Sequence, residues 1–472
     1  MPQGTTSRSA AYAFSRRLLD AHAAPLPPAV ASAARRSLYN VLGTAVGAAR
    51  TPAVDAALAT ARELGAAGGV AVPGRRETVD AHWGAVIAGT AAHFDDFDDT
   101  HLATVIHPGA ATMATVLALW PEIDAPGARY LSAFALGCET QLRIGNAVSP
   151  SHYDRGWHIT GTCGVFGAAA AAALLLGLDA GATEAALALA GDMVLGHREA
   201  FGSMTKPFHP GKAAANGLLA ARLAAAGIGA PHDPLGERGV LPVFSDALDG
   251  HWLTDGFDGP WELEKNAFKP YPCGIVAHPG IDAAVAASPQ VGDPEAITAV
   301  ELVCHPLVPE LMGREQPADG LQARFSARHA VAVGLLDGQV GLPQFADGRA
   351  VAPDAVRLRS LTTLRPSEDC ARDAATITVE RRGAEPVTVH IPHARGSLER
   401  PLTDDELHAK VRGLVAPVLG PDAADTLRRA VDALADAADP AELVAAVRPG
   451  DTAPPAHTPA PAERADTKEG RR

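Results

Sequence analysis

Runs of alanine and leucine at helical spacing dominate the first half of the chain, from about residue 8 to residue 227. Glycine, proline and aspartate interrupt these runs at intervals of about one helix length. Because alanine and glycine are small, such helices can approach closely and be covered on most sides. The pattern predicts a large all-helical body with hardly any strand, and helices near 8–22, 28–48, 53–65, 79–93, 108–120, 127–147, 162–177, 181–194 and 210–226.

The pattern changes near Lys269, after an irregular region rich in glycine and proline. Residues 296–304 read as a strand and 375–391 as a hairpin that turns near Gly383, with a helical stretch over 320–336 between them. Helical periodicity returns at 403–417, 423–436 and 440–447. These patterns predict a mainly α protein, with a large helical domain formed by both chain ends and a smaller inserted α+β domain. The expected division is a helical domain at 1–268 and 396–448, an α+β domain at 269–395 and a disordered tail at 449–472.

Composition narrows the class of protein. The 472 residues include 54 acidic and 40 basic side chains, a formal net charge of −14, which argues against a nucleic-acid partner. The five cysteines are far apart and form no C-x-x-C pair, which favours a reducing compartment. The uncharged stretch 163–178 is too short and too weakly apolar to span a membrane, and the N-terminus is too charged for a signal peptide. We therefore expect a cytoplasmic protein.

The tripeptide His-Pro-Gly occurs three times, beginning at His107, His209 and His278, which is more often than composition alone predicts. Each copy precedes an apolar helical stretch, so each proline is expected at the first helical position and each histidine at the cap. Helix N-termini attract carboxylates, and imidazoles transfer protons near neutral pH. The alternative is that the tripeptide only starts helices.

The segment HFDDFDDTH, residues 93–101, places four carboxylates within five residues. Such a cluster needs solvent, a cation or a network that shares protons with nearby histidines. Apolar helices on both sides indicate that the segment points inward. A magnesium-diphosphate site is a weaker alternative, because the spacing is unusual for one and no second motif of this kind occurs.

Three further segments carry candidate chemistry. His158 opens an alanine-rich helix, with Thr160 and Thr162 able to cap it. Lys206 lies in a loop that leads to the second His-Pro-Gly, and His278 follows the change from helical to α+β character. Lysine is scarce in this chain, with only six copies among the 40 basic residues, so Lys206 is a candidate anchor for an anionic substrate.

Motifs for several common reactions are missing. The sequence has no P-loop, no strand-linked G-x-G-x-x-G, no H-E-x-x-H and no G-x-S-x-G. Histidines, a lysine and carboxylates suffice to move a proton α to a carboxylate, and to expel water or carbon dioxide. The residues therefore indicate a lyase or an epimerase that needs no cofactor and no metal.

Four segments together strongly resemble the MmgE/PrpD family: HFDDFDDTH followed by HPG, GWHITGTCGVFGAA, SMTKPFHPGKAAANG and KPYPCGIVAHPG. The resemblance covers about residues 8–447, and the motifs occur in the family's order. That family includes 2-methylcitrate dehydratase, cis-aconitate decarboxylase and iminodisuccinate epimerase. The resemblance implies a cofactor-free homodimer whose smaller domain is a lid, acting on a small di- or tricarboxylic acid.

The family's active site maps onto six residues of this chain. The resemblance implies catalytic roles for Asp96, His107, His158 and His278, and substrate-binding roles for Thr100 and Lys206. In this hypothesis Lys206 holds a substrate carboxylate, while one of two histidines, His107 or His158, removes the α-proton and the other delivers a proton. The leading expectation is a dehydratase or decarboxylase. The alternatives are a cofactor-independent epimerase or isomerase and a carboxylate-binding protein without catalysis.

Overall fold

The computed structural model describes residues 9–450, so all but the first two residues of the predicted disordered tail lie outside the described part. Helices make up most of this part, and the expected mainly α fold is confirmed. The first helices are α1 (Ala10–Ala23), α2 (Pro28–Gly47), α3 (Pro52–Glu63), α4 (Ala81–His93), α5 (Pro108–Leu119), α6 (Gly127–Val148), α7 (Ser151–Asp154), α8 (Ile159–Leu175), α9 (Ala180–Asp192), α10 (Thr205–Ala225), α11 (Val240–Phe244) and α12 (His251–Thr254).

The remaining α-helices follow in two groups. The first group is α13 (His278–Val291), α14 (Leu307–Met312), α15 (Gly320–Ala323), α16 (Ala327–Asp337), α17 (Asp347–Ala350) and α18 (Pro353–Ser360). The second is α19 (Asp404–Leu419), α20 (Ala423–Ala433) and α21 (Ala441–Ala446). Short 3-10 helices lie at Arg198–Ala200, Glu262–Lys265, Ile275–Ala277, Pro294–Ala296, Leu342–Phe345 and Leu434–Asp436.

The strands are β1 (Val70–Ala71), β2 (Thr78–Val79), β3 (Asp99–His101), β4 (Asn266–Phe268), β5 (Ile297–Cys304), β6 (Thr362–Pro366), β7 (Ala375–Arg381) and β8 (Ala384–Ile391). β1 pairs with β2 and β3 with β4, while the other four form one sheet in the order β6-β5-β7-β8. In that sheet β5 and β6 are parallel, and the other two pairs are antiparallel.

Two hydrophobic cores divide the molecule. The first combines buried side chains from residues 11–268 with others from 402–447, and we call the elements around it the helical body. The second uses side chains from 271–387, and we call the elements around it the α+β unit. The C-terminal helix α19 packs closely against α2 of the helical body, since a Cβ at Gly43 of α2 would lie 2.8 Å from the Val411 side chain of α19.

Glycine allows the central helices of the body to touch. A Cβ at Gly89 of α4 would lie 2.7 Å from the Cα of Gly211 in α10, so the two backbones cross in contact here. The crossing puts the end of α4, at His93, beside the start of α10, where Lys206 lies. The hydrophobic pattern predicts both helices, and the glycines explain why their ends meet.

Some local predictions are wrong. The predicted helix over 320–336 is interrupted between α15 and α16, and Ser326 caps the second piece by accepting a hydrogen bond from the amide of His329. The helical half also contains short strands that its alanine-rich pattern does not predict. One of them, β3, lies within the acidic motif.

Among residues 9–450, no helix combines the length and the apolar character that a membrane crossing requires.

Candidate active site

The acidic motif forms a buried loop that leads from α4 into β3. β3 pairs with β4 in antiparallel register, with Asp99 opposite Phe268, so Lys269 emerges directly beside the loop. Asp96 has a φ of +52°, a left-handed conformation that aspartate tolerates better than most residues but at some cost. The strand pairing and this turn together direct the Asp96 carboxylate towards two lysines.

Two ammonium groups share the Asp96 carboxylate. Lys206 Nζ lies 2.9 Å from Asp96 Oδ1, and Lys269 Nζ lies 3.0 Å from the same oxygen and 3.0 Å from the Asp96 carbonyl. Burial alone would raise the pKa of Asp96, but the adjacent lysines and histidines hold it well below its usual range. Burial lowers the pKa of Lys206, and Asp96 opposes that shift. The loop therefore keeps an ionised carboxylate between two cations.

His93 links this ion pair to a second carboxylate. The Lys206 ammonium can only donate, so His93 Nε2, 2.7 Å from Lys206 Nζ, accepts. The ring proton then lies on Nδ1, which donates to Asp98 Oδ2 at 2.7 Å. Burial lowers the pKa of His93, whereas Asp98 is held below its usual pKa by the two histidines that face it, against the effect of burial. His93 is therefore a neutral link between two charged residues.

The geometry around His107 fixes its tautomer. Its Nδ1 lies 2.8 Å from the Asp99 carbonyl oxygen, which can only accept, so Nδ1 carries the proton. Thr100 Oγ1 and Asp98 Oδ1 lie 3.1 and 3.3 Å from the same nitrogen. Burial holds the pKa of His107 well below its usual value. The neutral ring therefore leaves Nε2 with a free lone pair, as a general base requires.

Asp99 also holds the helix that carries His107. Its Oδ1 accepts the Gly109 amide of α5 at 3.2 Å, and a Cβ at Gly109 would come within 2.7 Å of that oxygen. The glycine of the first His-Pro-Gly thus makes room for the carboxylate that caps the helix.

His158 lies at the N-cap of α8 and contacts another histidine. Its Nδ1 is 2.8 Å from Nδ1 of His209, so one ring donates and the other accepts. Burial holds the pKa of His158 well below its usual value and lowers that of His209 to about 4. Both rings are therefore neutral at physiological pH.

A cavity of about 50 Å³ lies where these groups meet. The helical body supplies its polar wall, and the α+β unit covers it with apolar side chains. Val105, a β-branched residue with a φ of +55°, also contributes, so both non-glycine residues with positive φ in the described part of the chain line this cavity. The lining residues are Asp96, Thr100, Val105, His107, Tyr153, His158, Phe201, Lys206, Lys269, Gly274, Ile275, Val276, Leu311, Met312 and Phe325.

Five of the six residues chosen from the sequence line this cavity, namely Asp96, Thr100, His107, His158 and Lys206. His278 does not line it. That side chain is buried with its ring edge against Tyr271, and burial with Lys269 nearby lowers its pKa to about 3. Its Nε2 has no hydrogen-bond partner among residues 9–450, so the ring keeps one free polar atom close to the site.

The expectation of three histidine caps is correct only for His107. Pro210 lies inside α10, which begins at Thr205, so His209 is a helical residue, and His278 is itself the first residue of α13. Pro279 lies in the first turn of α13, where amides lack intrahelical partners, but Pro210 lies beyond the first turn of α10, where proline removes an intrahelical hydrogen bond. The tripeptide therefore does not fix the cap. The two threonines proposed to cap α8 bond elsewhere, since Thr160 accepts the His107 amide and Thr162 contacts His152.

Sequence reasoning missed three residues of this cluster: Lys269, His93 and Asp98. The scarcity of lysine was the available signal, because Lys206 and Lys269 are buried, Lys410 is partly buried, and all three reach the same loop. Lys410 Nζ, brought in by α19, lies 2.6 Å from the carbonyl oxygen of Phe97.

The alternative of a metal site can be compared with these contacts. His93, Asp96, Asp98 and His107 each offer a ligand atom within 4.8 Å of the others. Two ammonium groups already contact the Asp96 oxygen, and a cation bound there would meet their repulsion. The arrangement favours an ion-paired network over a magnesium-diphosphate site.

Two family profiles and several curated proteins are similar to this chain. The profile of the MmgE/PrpD N-terminal domain matches residues 13–252, and that of the MmgE/PrpD C-terminal domain matches residues 271–436. The cis-aconitate decarboxylase of Mus musculus is 28% identical over 387 residues, covering 76% of each chain. The cis-aconitate decarboxylase of Homo sapiens is 27% identical, and the match covers 76% of this chain and 77% of that protein. The cis-aconitate decarboxylase of Aspergillus terreus is 26% identical, and the match covers 70% of this chain and 72% of that protein.

Proposed function

The chain belongs to the MmgE/PrpD family, and we propose that it is a cofactor-independent lyase acting on a small di- or tricarboxylic acid. The observation that carries this proposal is the meeting, in one covered cavity, of two lysines with a neutral imidazole whose Nε2 is free. Lysines attract carboxylates, and the imidazole moves protons α to them.

The lysines have donors left for a substrate. An ammonium group has three N–H bonds, and Lys206 uses two of them on His93 and Asp96. Lys269 has two acceptors, both belonging to Asp96. Within the described residues, each lysine therefore keeps one N–H for a bound carboxylate, and we propose that both residues anchor the substrate.

The lyase proposal has two chemical forms. In a dehydration, His107 Nε2 removes the proton α to a carboxylate while His158 protonates the departing hydroxyl. In a decarboxylation, carbon dioxide leaves without its bonding electrons, and His158 supplies the proton that the resulting carbanion accepts. We give precedence to decarboxylation of a cis-aconitate-like acid, because the curated relatives carry that name.

An epimerase remains the second candidate. His107 and His158 both line the cavity, with the His93 ring 4.7 Å from the first and 5.6 Å from the second. Two imidazoles at separate points of one cavity suit removal of a proton from one face of a carbon and its return to the other.

We also propose that the α+β unit is the expected lid and that the enzyme is a cytoplasmic homodimer. An ion pair between Arg198 and Glu310 at 2.7 Å and another between Arg324 and Asp95 at 2.7 Å join the unit to the body. These contacts lie beside the cavity, as the contacts of a closing lid would.

A substrate panel in deuterium oxide tests the proposal. The purified protein is incubated with citrate, 2-methylcitrate, cis-aconitate and iminodisuccinate, and the products are followed by mass and proton spectra. Loss of carbon dioxide or water supports the lyase, and deuterium gain without such loss supports the epimerase. No change in any of these acids would overturn the proposed substrate class.

A further inference from the structure

Five imidazoles form a row from the candidate active site to the surface. The ring centres of His107 and His93 are 4.7 Å apart, and those of His93 and His158 are 5.6 Å apart. His209 follows at 5.1 Å and His197 at a further 6.1 Å. The first four rings are buried and His197 is exposed. The row therefore connects the cavity with solvent.

The contact between His158 and His209 is the one direct imidazole-to-imidazole hydrogen bond that this row shows. At 2.8 Å between the two Nδ1 atoms, a single proton lies between the rings and belongs to one of them at a time. Whichever ring holds it, the other ring carries its own proton on Nε2. If His158 takes this proton at Nδ1 while it releases its Nε2 proton into the cavity, it stays neutral and changes from an acid to a base at Nε2.

The backbone around His209 is shaped to admit its ring. Gly196 has a φ of +103°, and a Cβ there would lie 2.9 Å from His209 Nδ1. A Cβ at Gly161 would lie 3.1 Å from the Cβ of His209 and 2.6 Å from the Leu195 carbonyl oxygen. Two glycines on two different segments therefore leave the space that this ring fills.

Two phenylalanine rings separate the cavity from an outer cleft near His197. The rings of Phe201 and Phe325 stack with centres 5.5 Å apart, and both side chains line the cavity on one side and an outer cleft on the other. His197 lines that outer cleft. A decarboxylation consumes one proton for each carbon dioxide released, so a covered site needs a route that supplies it.

We propose that His209 relays a proton from solvent, by way of His197, to His158. This inference rests on the proposed function, and His209 acts through His158 rather than on the substrate, so it is a positioning and relay residue.

The proton movements balance in three linked transfers. His158 gives its Nε2 proton to the carbanion, forming the new C–H bond. His158 Nδ1 takes the proton from Nδ1 of His209, and His209 Nε2 takes one from a buffer acid or hydronium ion at the cleft, through His197 and a bridging water. One solvent proton enters the product, and the pair recovers its starting tautomers by exchange with water after product release.

Another buried histidine provides the matched control. His152 also lies near α8, with Nε2 2.7 Å from Thr162 Oγ1 and a pKa lowered by burial to about 4, as for His209. Its hydrogen-bond partners are a hydroxyl and a carbonyl group rather than a second imidazole. Its replacement therefore tests loss of a buried ring without loss of the relay.

The test compares H209N with H152N and the wild type in water and deuterium oxide. Asparagine at 209 keeps an N–H near the Nδ1 position but cannot pass a proton on. We expect kcat for cis-aconitate to fall about tenfold or more in H209N with KM unchanged, and the solvent isotope effect on kcat to rise. H152N should keep the isotope effect of the wild type. H209Q replaces H209N if the latter does not fold.

Two results would overturn the relay alone: an H209N enzyme with wild-type kcat, or one with a lower kcat and an unchanged isotope effect. The second result would mean that His209 only supports the fold. A wild-type protein that turns over no acid of the panel would instead overturn the proposed function, and the relay with it.

Discussion

The helical body and the α+β unit contribute opposite chemistry to the same cavity. The body lines it with charged groups, hydroxyls and imidazoles, including Asp96, His107 and Lys206. The unit lines it with Val276, Met312 and other apolar side chains. The helical body therefore supplies groups that can bind and protonate a substrate, and the α+β unit supplies apolar side chains that exclude water.

Burial explains why this separation is effective. Because the carboxylates and lysines of the body are removed from water, their mutual attraction is strong and the histidines beside them stay neutral. The apolar side chains of the α+β unit cover these groups and keep them removed from water. The comparison predicts that changes in the body alter the chemical step, whereas changes in the unit have weaker effects.

The largest effect is expected from His107. H107N removes the lone pair at Nε2 and should lower kcat by about 10²- to 10⁴-fold if the reaction is the dehydration or the epimerisation, which begin with proton removal, whereas a decarboxylation begins with the loss of carbon dioxide. H101N is the matched control, because His101 belongs to the same motif and is buried, but bonds Glu262 and does not line the cavity. Steady-state kinetics measures kcat for both variants, and equal losses of kcat would contradict the assignment of His107 as the base.

Removal of the Lys206 charge should act mainly on binding. K206M loses one charged hydrogen bond to the substrate, so KM should rise about tenfold to a hundredfold, or about 1.5 to 3 kcal/mol. K212M, in the same helix but outside the cavity lining, should leave KM within about twofold. A K206M enzyme with an unchanged KM would show that the substrate is anchored elsewhere.

The buried histidines should make the fold sensitive to acid. The pKa values of His209 and His278 are lowered to about 4 and about 3, so both stay neutral in the folded state at pH 5 while the unfolded chain protonates. Because the unfolded state then binds more protons, stability is full above about pH 6.5 and is lost as the pH falls below it.

Each of these two histidines should reduce the free energy of unfolding by about 2 kcal/mol between pH 8 and pH 5. Urea unfolding at both pH values measures the change, and H209N should show a smaller loss than the wild type. An unfolding free energy that does not change between these pH values would contradict the assignment of neutral rings.

The smallest effect is expected in the α+β unit. F325L keeps an apolar side chain beside Phe201 but removes the ring stack, so we expect kcat/KM to fall only about threefold. A loss as large as that of H107N would mean that the unit takes part in the chemical step.

Helical periodicity predicts α1 to α6, α8 and α9 to within a few residues, because their apolar patterns are long and regular. It misplaces the start of α10, where Pro207 and Pro210 lie inside the helix and suggest a later beginning. It also misses the three-residue β3–β4 ladder, since so short a pairing leaves no periodic signal.

The site was predictable only in part. Motifs identify Asp96, His107 and His158 because each lies in a distinctive local sequence. Lys269 comes to Asp96 through strand pairing across more than 160 residues, and the His158–His209 bond depends on room left by Gly161 and Gly196. Local patterns in a single sequence carry no signal for such long-range contacts.

The most direct test of the central claim is the turnover of cis-aconitate in deuterium oxide by the wild type and by H107N/H158N, followed by proton spectra. If the body supplies the proton chemistry, the wild type will release carbon dioxide and place one deuteron in the product. The double variant will bind the acid but turn it over at least about a hundredfold more slowly. Wild-type turnover by the double variant would contradict the account.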